Sequence, residues 1–418
     1  MKLKRFTFIF TMLIVLLAPI CSFAASEVNF PIYSKGAVLI EASTGKVLYG
    51  KNENEKLYPA STTKILTAII ALEKYNLNDK IKANRSAIIA IPSGYSNAAI
   101  QPDEELTVQE LLKLFLIHSA NEVGYILAED MSGNIENFAT LMNQKAAEIG
   151  CKNTHFTNPS GIHDAEHYST AYDMALIARY CMQNNAFRNI VSMTSCTINP
   201  TDKYEKRYFK NTNDLIDVKS KYYYEYAIGI KTGFTTQAKN CLIAASKKDN
   251  MELITVALGA EATSDGRSGR YVDTINLFDY GFANYKIQQI ASANTSVNDL
   301  VIKDATKDTR NLSLLLKDNI SALMPQDLDL SNLNYTVDIN DSISAPISKD
   351  DILGTITYDI NGVKYSSDLI ADHDVEKSTF TLLLIKIVSA IVIFLIIIKL
   401  LFFRKKQYKN YDSIYRFK

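Results

Sequence analysis

A hydrophobic run over residues 380–403, interrupted by lysine only near its ends, sets the first limit on what this chain can fold into. As a helix it would reach about 36 Å, more than the roughly 30 Å hydrocarbon core of a bilayer. Its middle, residues 387–398, has no polar face, so it reads as a span and not as a helix lying flat on the surface. Lys386 and Lys399 fall towards its ends, where long side chains reach the interface. Arg404, Lys405, Lys406 and Lys409 follow at once and mark the cytoplasmic side. At the other end, Lys2, Lys4 and Arg5 precede apolar residues 6–20 and then Ser22-Phe23-Ala24, the pattern of a secretion signal. The expected layout is a signal peptide over 1–25, a body outside the cell membrane, an anchor over 379–403 and a basic cytoplasmic tail over 404–418.

The 418 residues are too many for one small domain, and a hydrophobic share of 47% supports a real core. Lys+Arg and Asp+Glu are equal at 45 each, so no basic surplus points to nucleic acid. The Lys- and Tyr-rich region 203–226 reads as an exposed loop. After signal removal Cys151, Cys181, Cys196 and Cys241 remain, irregularly spaced and without C-x-x-C, so neither a zinc site nor a redox motif is indicated and no disulfide pairing is selected. His163 and His167 have a metal-like spacing but lack a third ligand; no metal and no cofactor is expected.

Periodicity places the elements. Ala37-Val38-Leu39-Ile40 and Lys46-Val47-Leu48-Tyr49 flank a turn at Ser43-Thr44-Gly45, a hairpin. Pro59, then Ser61-Thr62-Thr63, then apolar Ile65, Leu66, Ile69, Ile70 and Leu72 start a helix lasting to about Tyr75. Thr107-Val108-Gln109-Glu110 is a capping box for an apolar helix over 111–117, which breaks at His118-Ser119-Ala120-Asn121 before another begins at Glu122. Residues 134–150 form a helix closed by Gly150, and Asn158-Pro159-Ser160-Gly161 is a turn. A helix capped within 169–173 runs to about Met182, strands follow over 228–235, 241–246 and 252–258, and a helix covers 270–285. Strands enclosing helices predict one antiparallel sheet built from both ends of the segment 26–286, with a helical subdomain inserted. From about Gln288 polar and β-branched residues alternate, with a turn at Asn361-Gly362, giving a small all-β domain over 287–374.

Three short motifs fall on this framework in order: Ser61-x-x-Lys64 at a helix start, Ser119-Ala120-Asn121 at a helix break, and Lys231-Thr232-Gly233 on a strand. Alone, Ser-x-x-Lys is most often a capped helix with a surface lysine. Together the three form a set suited to acyl transfer through a serine ester. Ser61 and Lys64 share a helix face with Ala68 and Ala71, which solvate an ammonium poorly and favour a neutral amine able to take the serine proton. Ser119 supplies a proton route to the leaving amine, Asn121 an amide for the substrate backbone, and Lys231 a standing charge for a terminal carboxylate. Thr232 and Thr235 add hydroxyl groups. Gly233 removes a Cβ that would block a strand-like substrate from this edge. The backbone N–H groups of Ser61 and Phe234 are the expected oxyanion hole.

On these motifs, and on the segments 58–68, 158–179, 211–213, 229–235 and 240–259, the chain resembles the D-alanyl-D-alanine carboxypeptidases, the low-molecular-mass penicillin-binding proteins. The likeness runs from about residue 36 to 285 and more weakly to 372. It implies an α/β penicillin-recognising serine transferase domain, a small C-terminal all-β domain and one membrane helix. The implied substrate is the peptidoglycan pentapeptide stem, cut between its last two D-alanines, with β-lactam antibiotics as covalent inhibitors. Glu122 departs from the family pattern, which has Asp after the Asn. A class A β-lactamase would need a positioned Glu for its deacylating water, and no fitting Glu-x-x-x-Asn lies between Asn121 and Lys231. A D,D-endopeptidase would use the same residues, and a non-catalytic wall-binding protein would not need every chemical position filled.

Overall fold

The computed structural model describes residues 28–330 and 333–414, so the signal-peptide reading and residues 415–418 of the tail lie outside it. The chain divides into two units, with the division at residues 286 and 287.

In the first unit, Gly36–Glu41 and Val47–Lys51 form the N-terminal hairpin, and Gly36–Glu41 pairs with Met251–Ala260 from the far end of the segment. Edge to edge the sheet runs Val47–Lys51, Gly36–Glu41, Met251–Ala260, Lys239–Lys248, Ala227–Thr235, antiparallel throughout. This is the sheet expected from the two ends of the segment. Its inner strands lack polar alternation because helices cover both faces. Val38, Ile40, Ile254 and Val256 join the large core that holds the inserted helices, whereas Leu39 and Leu253 lie under Gly281 of the helix Gly269–Asn284. At the centre of the inserted part is the helix Lys64–Lys74, buried all round over its first eight residues. Burying Ile65, Leu66, Ile69 and Ile70 is worth about 1.5–3 kcal/mol each, which fixes this helix under the sheet.

The capping box at Thr107 and Glu110 is present and opens the helix Val108–Lys113. That helix widens into a π-turn over Leu114–His118, stops at Ser119 in the left-handed region, and restarts as Asn121–Ser132, one residue earlier than the sequence suggests. The region 203–226 is not a plain exposed loop. Arg207–Lys210 pairs with Ser195–Ile198, the Arg207 guanidinium is buried against the Glu104 carboxylate, and Tyr222 stacks on Tyr271 at 4.6 Å. The strand partner Ser195–Ile198 is near in sequence, whereas Glu104 and Tyr271 lie more than forty residues from the groups they hold, so local pattern could not reveal those two contacts.

The second unit is all-β before its last helix. Its sheet runs Ser296–Val301, Asn311–Leu316, Val363–Ala371, Ile352–Ile360, Tyr335–Ile339, around Leu314, Leu316, Ile356 and Leu369. Asn361 and Gly362, both at positive φ, make the two-residue turn joining the pair Ile360 and Val363. The helix Phe380–Ile414 follows, and its segment Leu383–Phe403, with a mean hydropathy of 2.8 and no burial within the protein, is long and apolar enough to cross a membrane.

Candidate active site

Ala60–Thr63 is a 3-10 turn that runs straight into the helix Lys64–Lys74, leaving Ser61 one turn above Lys64. The Lys64 side chain is wholly buried. Its Nζ lies 2.9 Å from Ser61 Oγ, 2.8 Å from Asn121 Oδ1 and 2.7 Å from the Ser160 carbonyl oxygen. A neutral amine has two hydrogens. The carbonyl oxygens of Asn121 and Ser160 can only accept, so they take both, and the nitrogen lone pair is left facing the Ser61 hydroxyl. The Asn121 amide is fixed in this sense because its Nδ2 donates to the Ser96 carbonyl at 2.8 Å. Burial, then repulsion from Lys231, holds Lys64 well below the usual lysine range, with Glu122 opposing. The site therefore keeps a free base beside a serine.

Ser119 faces the same cleft from the helix break, with φ 69°. A left-handed serine is strained by about 1–3 kcal/mol and persists because the π-turn before it and Asn121 after it are both buried.

The edge strand Ala227–Thr235 closes the other side. Thr232 Oγ1 lies 2.7 Å from Thr212 Oγ1, Thr235 Oγ1 accepts from the Ala238 N–H, and Phe234 is 61% exposed at the mouth. Lys231 is buried behind this strand, where its Nζ donates to the Thr232 carbonyl at 3.0 Å. Burial and then Arg270 bring Lys231 down to about 7. Residue type alone would give Lys231 an ordinary ammonium, and burial with Arg270 weakens its hold on the proton.

Gly233 also needs a new reason. A Cβ there would meet the Pro59 carbonyl oxygen and the Ser61 nitrogen at 3.1 Å each, so the glycine lets the strand close against the nucleophile turn. The sequence reading had assigned that space to substrate. Ser61, Ser119, Asn121, Thr232, Gly233, Phe234 and Thr235 all line one cleft of about 560 Å³, with Lys64 and Lys231 beneath it.

The model of the D-alanyl-D-alanine carboxypeptidase family matches residues 22–262, more than half the chain. The chain belongs to this family. The model of the penicillin-binding protein 5 C-terminal domain matches residues 285–377. The chain is 36% identical over 354 residues to D-alanyl-D-alanine carboxypeptidase DacF of Bacillus subtilis (strain 168), covering 83% of this chain and 87% of that one. It is 28% identical to D-alanyl-D-alanine carboxypeptidase DacC of Escherichia coli (strain K12), covering 87% and 90%. The crystal structure of penicillin binding protein 5 from Haemophilus influenzae superposes with a TM-score of 0.65 at 27% identity, covering 84% of this chain and 100% of that one. The penicillin-binding protein fold and its C-terminal β domain are therefore those of the chain.

Sequence reasoning missed three parts of this carboxypeptidase-family site. Arg270 lines the cleft, donates through Nη1 to the Gly233 carbonyl at 3.2 Å, and keeps a buried Nε–H without a partner. The turn 158–161 lies under the nucleophile. Asn158 Oδ1 accepts from the N–H groups of Ser160, Gly161 and Ile162, which aims the Ser160 carbonyl at Lys64. His167 is a prop. Its Nδ1 accepts from the Thr157 N–H at 3.1 Å, so Nε2 carries the hydrogen and donates to Thr63 Oγ1 at 2.9 Å, and burial pulls its pKa down to about 3. Cys151, Cys181, Cys196 and Cys241 are free thiols.

Proposed function

We propose that this cleft removes the terminal D-alanine from peptidoglycan pentapeptide stems through an ester on Ser61. The observation that carries the reading is Lys64, a buried amine whose hydrogens are claimed by two fixed acceptors and whose lone pair meets Ser61 Oγ at 2.9 Å. Ser61 Oγ attacks the carbonyl carbon of the penultimate D-alanine while Lys64 takes the hydroxyl proton. The oxyanion forms between the N–H groups of Ser61 and Phe234. The C–N bond breaks, the proton reaches the departing amine by way of Ser119, and D-alanine leaves. Water then attacks the ester carbonyl while Lys64 accepts its proton; the bond from the carbonyl carbon to Ser61 Oγ breaks, Lys64 returns the proton to Oγ, and the shortened stem departs as a carboxylic acid.

The terminal carboxylate is held by Arg270, Lys231 and Thr232. Asn121 acts chiefly by orienting Lys64, with one Nδ2 hydrogen left for the substrate. A β-lactam presents a comparable acyl group and carboxylate, so it acylates Ser61 as well. The body works outside the cell, tethered by Leu383–Phe403 with the basic tail inside; the N-terminal signal pattern and the trailing Arg404, Lys405, Lys406 and Lys409 support this orientation.

The test is release of free D-alanine from a pentapeptide ending in D-Ala-D-Ala, with intact-mass measurement of a penicillin adduct. One drug mass should map to the peptide holding Ser61. Ser61→Ala should take up none, and Lys64→Arg should lose about a thousandfold or more in acylation, since a guanidinium cannot serve as base. Labelling of Ser61→Ala would refute the mechanism.

A further inference from the structure

Beside the catalytic cleft lies a roomier groove of about 710 Å³; Gln237 lines both. Four lysines border the groove, Lys35, Lys51, Lys56 and Lys239, against one carboxylate, Glu261. Two of the four have no carboxylate in ion-pair range among the described residues. Lys51 Nζ donates to the carbonyls of Ile32 and Ser34 at 2.7 and 2.9 Å, both neutral, and keeps one hydrogen. Lys56 Nζ sits 4.3 Å over the Tyr168 ring and donates to its hydroxyl at 3.3 Å. Lys239 and Glu261 are 4.0 Å apart, a loose pair. Lys35 is paired with Glu55 at 2.7 Å, so the groove's positive character rests on Lys51 and Lys56 and in part on Lys239. With Tyr58 and Tyr168 as walls, it is a surface suited to an anionic chain with apolar stretches.

The edge strand gives the groove a direction. Along it, Lys231 and Thr232 come first, then Gly233 and Phe234 level with Ser61, then Thr235 at the strand's end, with Thr236 and Gln237 in the turn beyond. A peptide with its terminal carboxylate at Lys231 and its scissile carbonyl at Ser61 must run antiparallel to this strand, with its acyl side leaving past Gln237. Gln237 lies only two residues beyond the strand's end and lines both spaces, so the groove receives the part of the peptide about two to four residues upstream of the scissile bond. Building on the proposed function, we propose that this groove is an acyl-side subsite that reads carboxylates on the stem peptide, with Lys56 and Lys239 as its adjustable charges.

The experiment uses the full-length Ser61→Ala protein in detergent, which binds without turnover. Two N-acetyl pentapeptides ending in D-Ala-D-Ala are titrated calorimetrically; they differ only in a free carboxylate or its amide at the second residue. With Lys56→Glu and Lys239→Glu added together, Kd for the acid peptide should weaken about tenfold and Kd for the amide peptide should stay within about twofold. Raising the salt should shrink the acid preference in the parent protein. Equal weakening of both peptides, or no change in either, overturns the subsite. D-alanine release by the unmodified protein is followed separately. If release is absent while the acid preference and its loss persist, the reaction falls and the groove stands; if release is present and the preference is absent, the groove falls alone.

Discussion

Replacing Lys231 by methionine removes a buried ammonium while leaving a side chain of similar length, so little cavity is opened. Burial and Arg270 bring Lys231 from its ordinary 10.5 to about 7. Its folded value lies below its unfolded one, so the folded chain binds fewer protons and the lysine destabilises the fold increasingly as pH drops from 10.5 towards 7. Linkage puts that cost at about 4 kcal/mol at pH 7, about 2 kcal/mol at pH 9 and under about 1 kcal/mol at pH 10. Losing the bond from Lys231 Nζ to the Thr232 carbonyl gives back about 1 kcal/mol. Lys231→Met should therefore be about 3 kcal/mol more stable at pH 7, raising the melting temperature of the first unit by about 6–12 °C, with no gain at pH 10. Activity should move the other way, kcat/KM falling about a hundredfold or more because the substrate carboxylate loses a buried partner. Scanning calorimetry of the detergent-solubilised chain at both pH values, with D-alanine release alongside, tests the reasoning. A variant that melts at or below the wild type at pH 7, or whose gain persists at pH 10, would refute it.

Gly161→Ala should cost more than about 4 kcal/mol, because its Cβ would stand 1.8 Å from the Ala60 carbonyl oxygen and the backbone sits at φ +76°; an unchanged melting temperature would show that the turn under the nucleophile is free to move. Glu122→Gln keeps an acceptor for the Ala98 N–H but removes the charge that raises Lys64, so the acid limb of kcat/KM should shift to lower pH; a limb that stays put, or moves up, contradicts that coupling. Protease added to intact protoplasts should digest the body and spare a tag placed after Lys418, and loss of the tag would reverse the orientation.

What could be read from the sequence, and what could not, divides along a physical line. The sheet was legible because the apolar runs at 37–40 and 252–258 carry their own burial signal, whichever partner they find. The Thr107 capping box was legible because both its bonds lie within four residues. Ser61 and Lys64 were legible as a pair because one helical turn fixes their spacing before any tertiary contact forms. Arg270 was not, since one cation in an ordinary helix pattern has no mark until that helix packs on Met251–Ala260 and Lys239–Lys248 and its Nη1 reaches the Gly233 carbonyl. The carbonyl of Ser160 was invisible for a related reason: a backbone acceptor leaves no trace in side-chain identity, and only the Asn158 turn shows where it points. How firmly Lys231 holds its proton was not legible, because residue type fixes the group that titrates, whereas burial and distant neighbours fix where it titrates. In this cleft those neighbours come from opposite ends of the segment. Arg270 lowers Lys231, Lys231 lowers Lys64, and Glu122 opposes that second shift. The free base beside Ser61 is thus a product of the assembled sheet and helices, and Ser-x-x-Lys on an isolated helix would carry an ordinary protonated lysine.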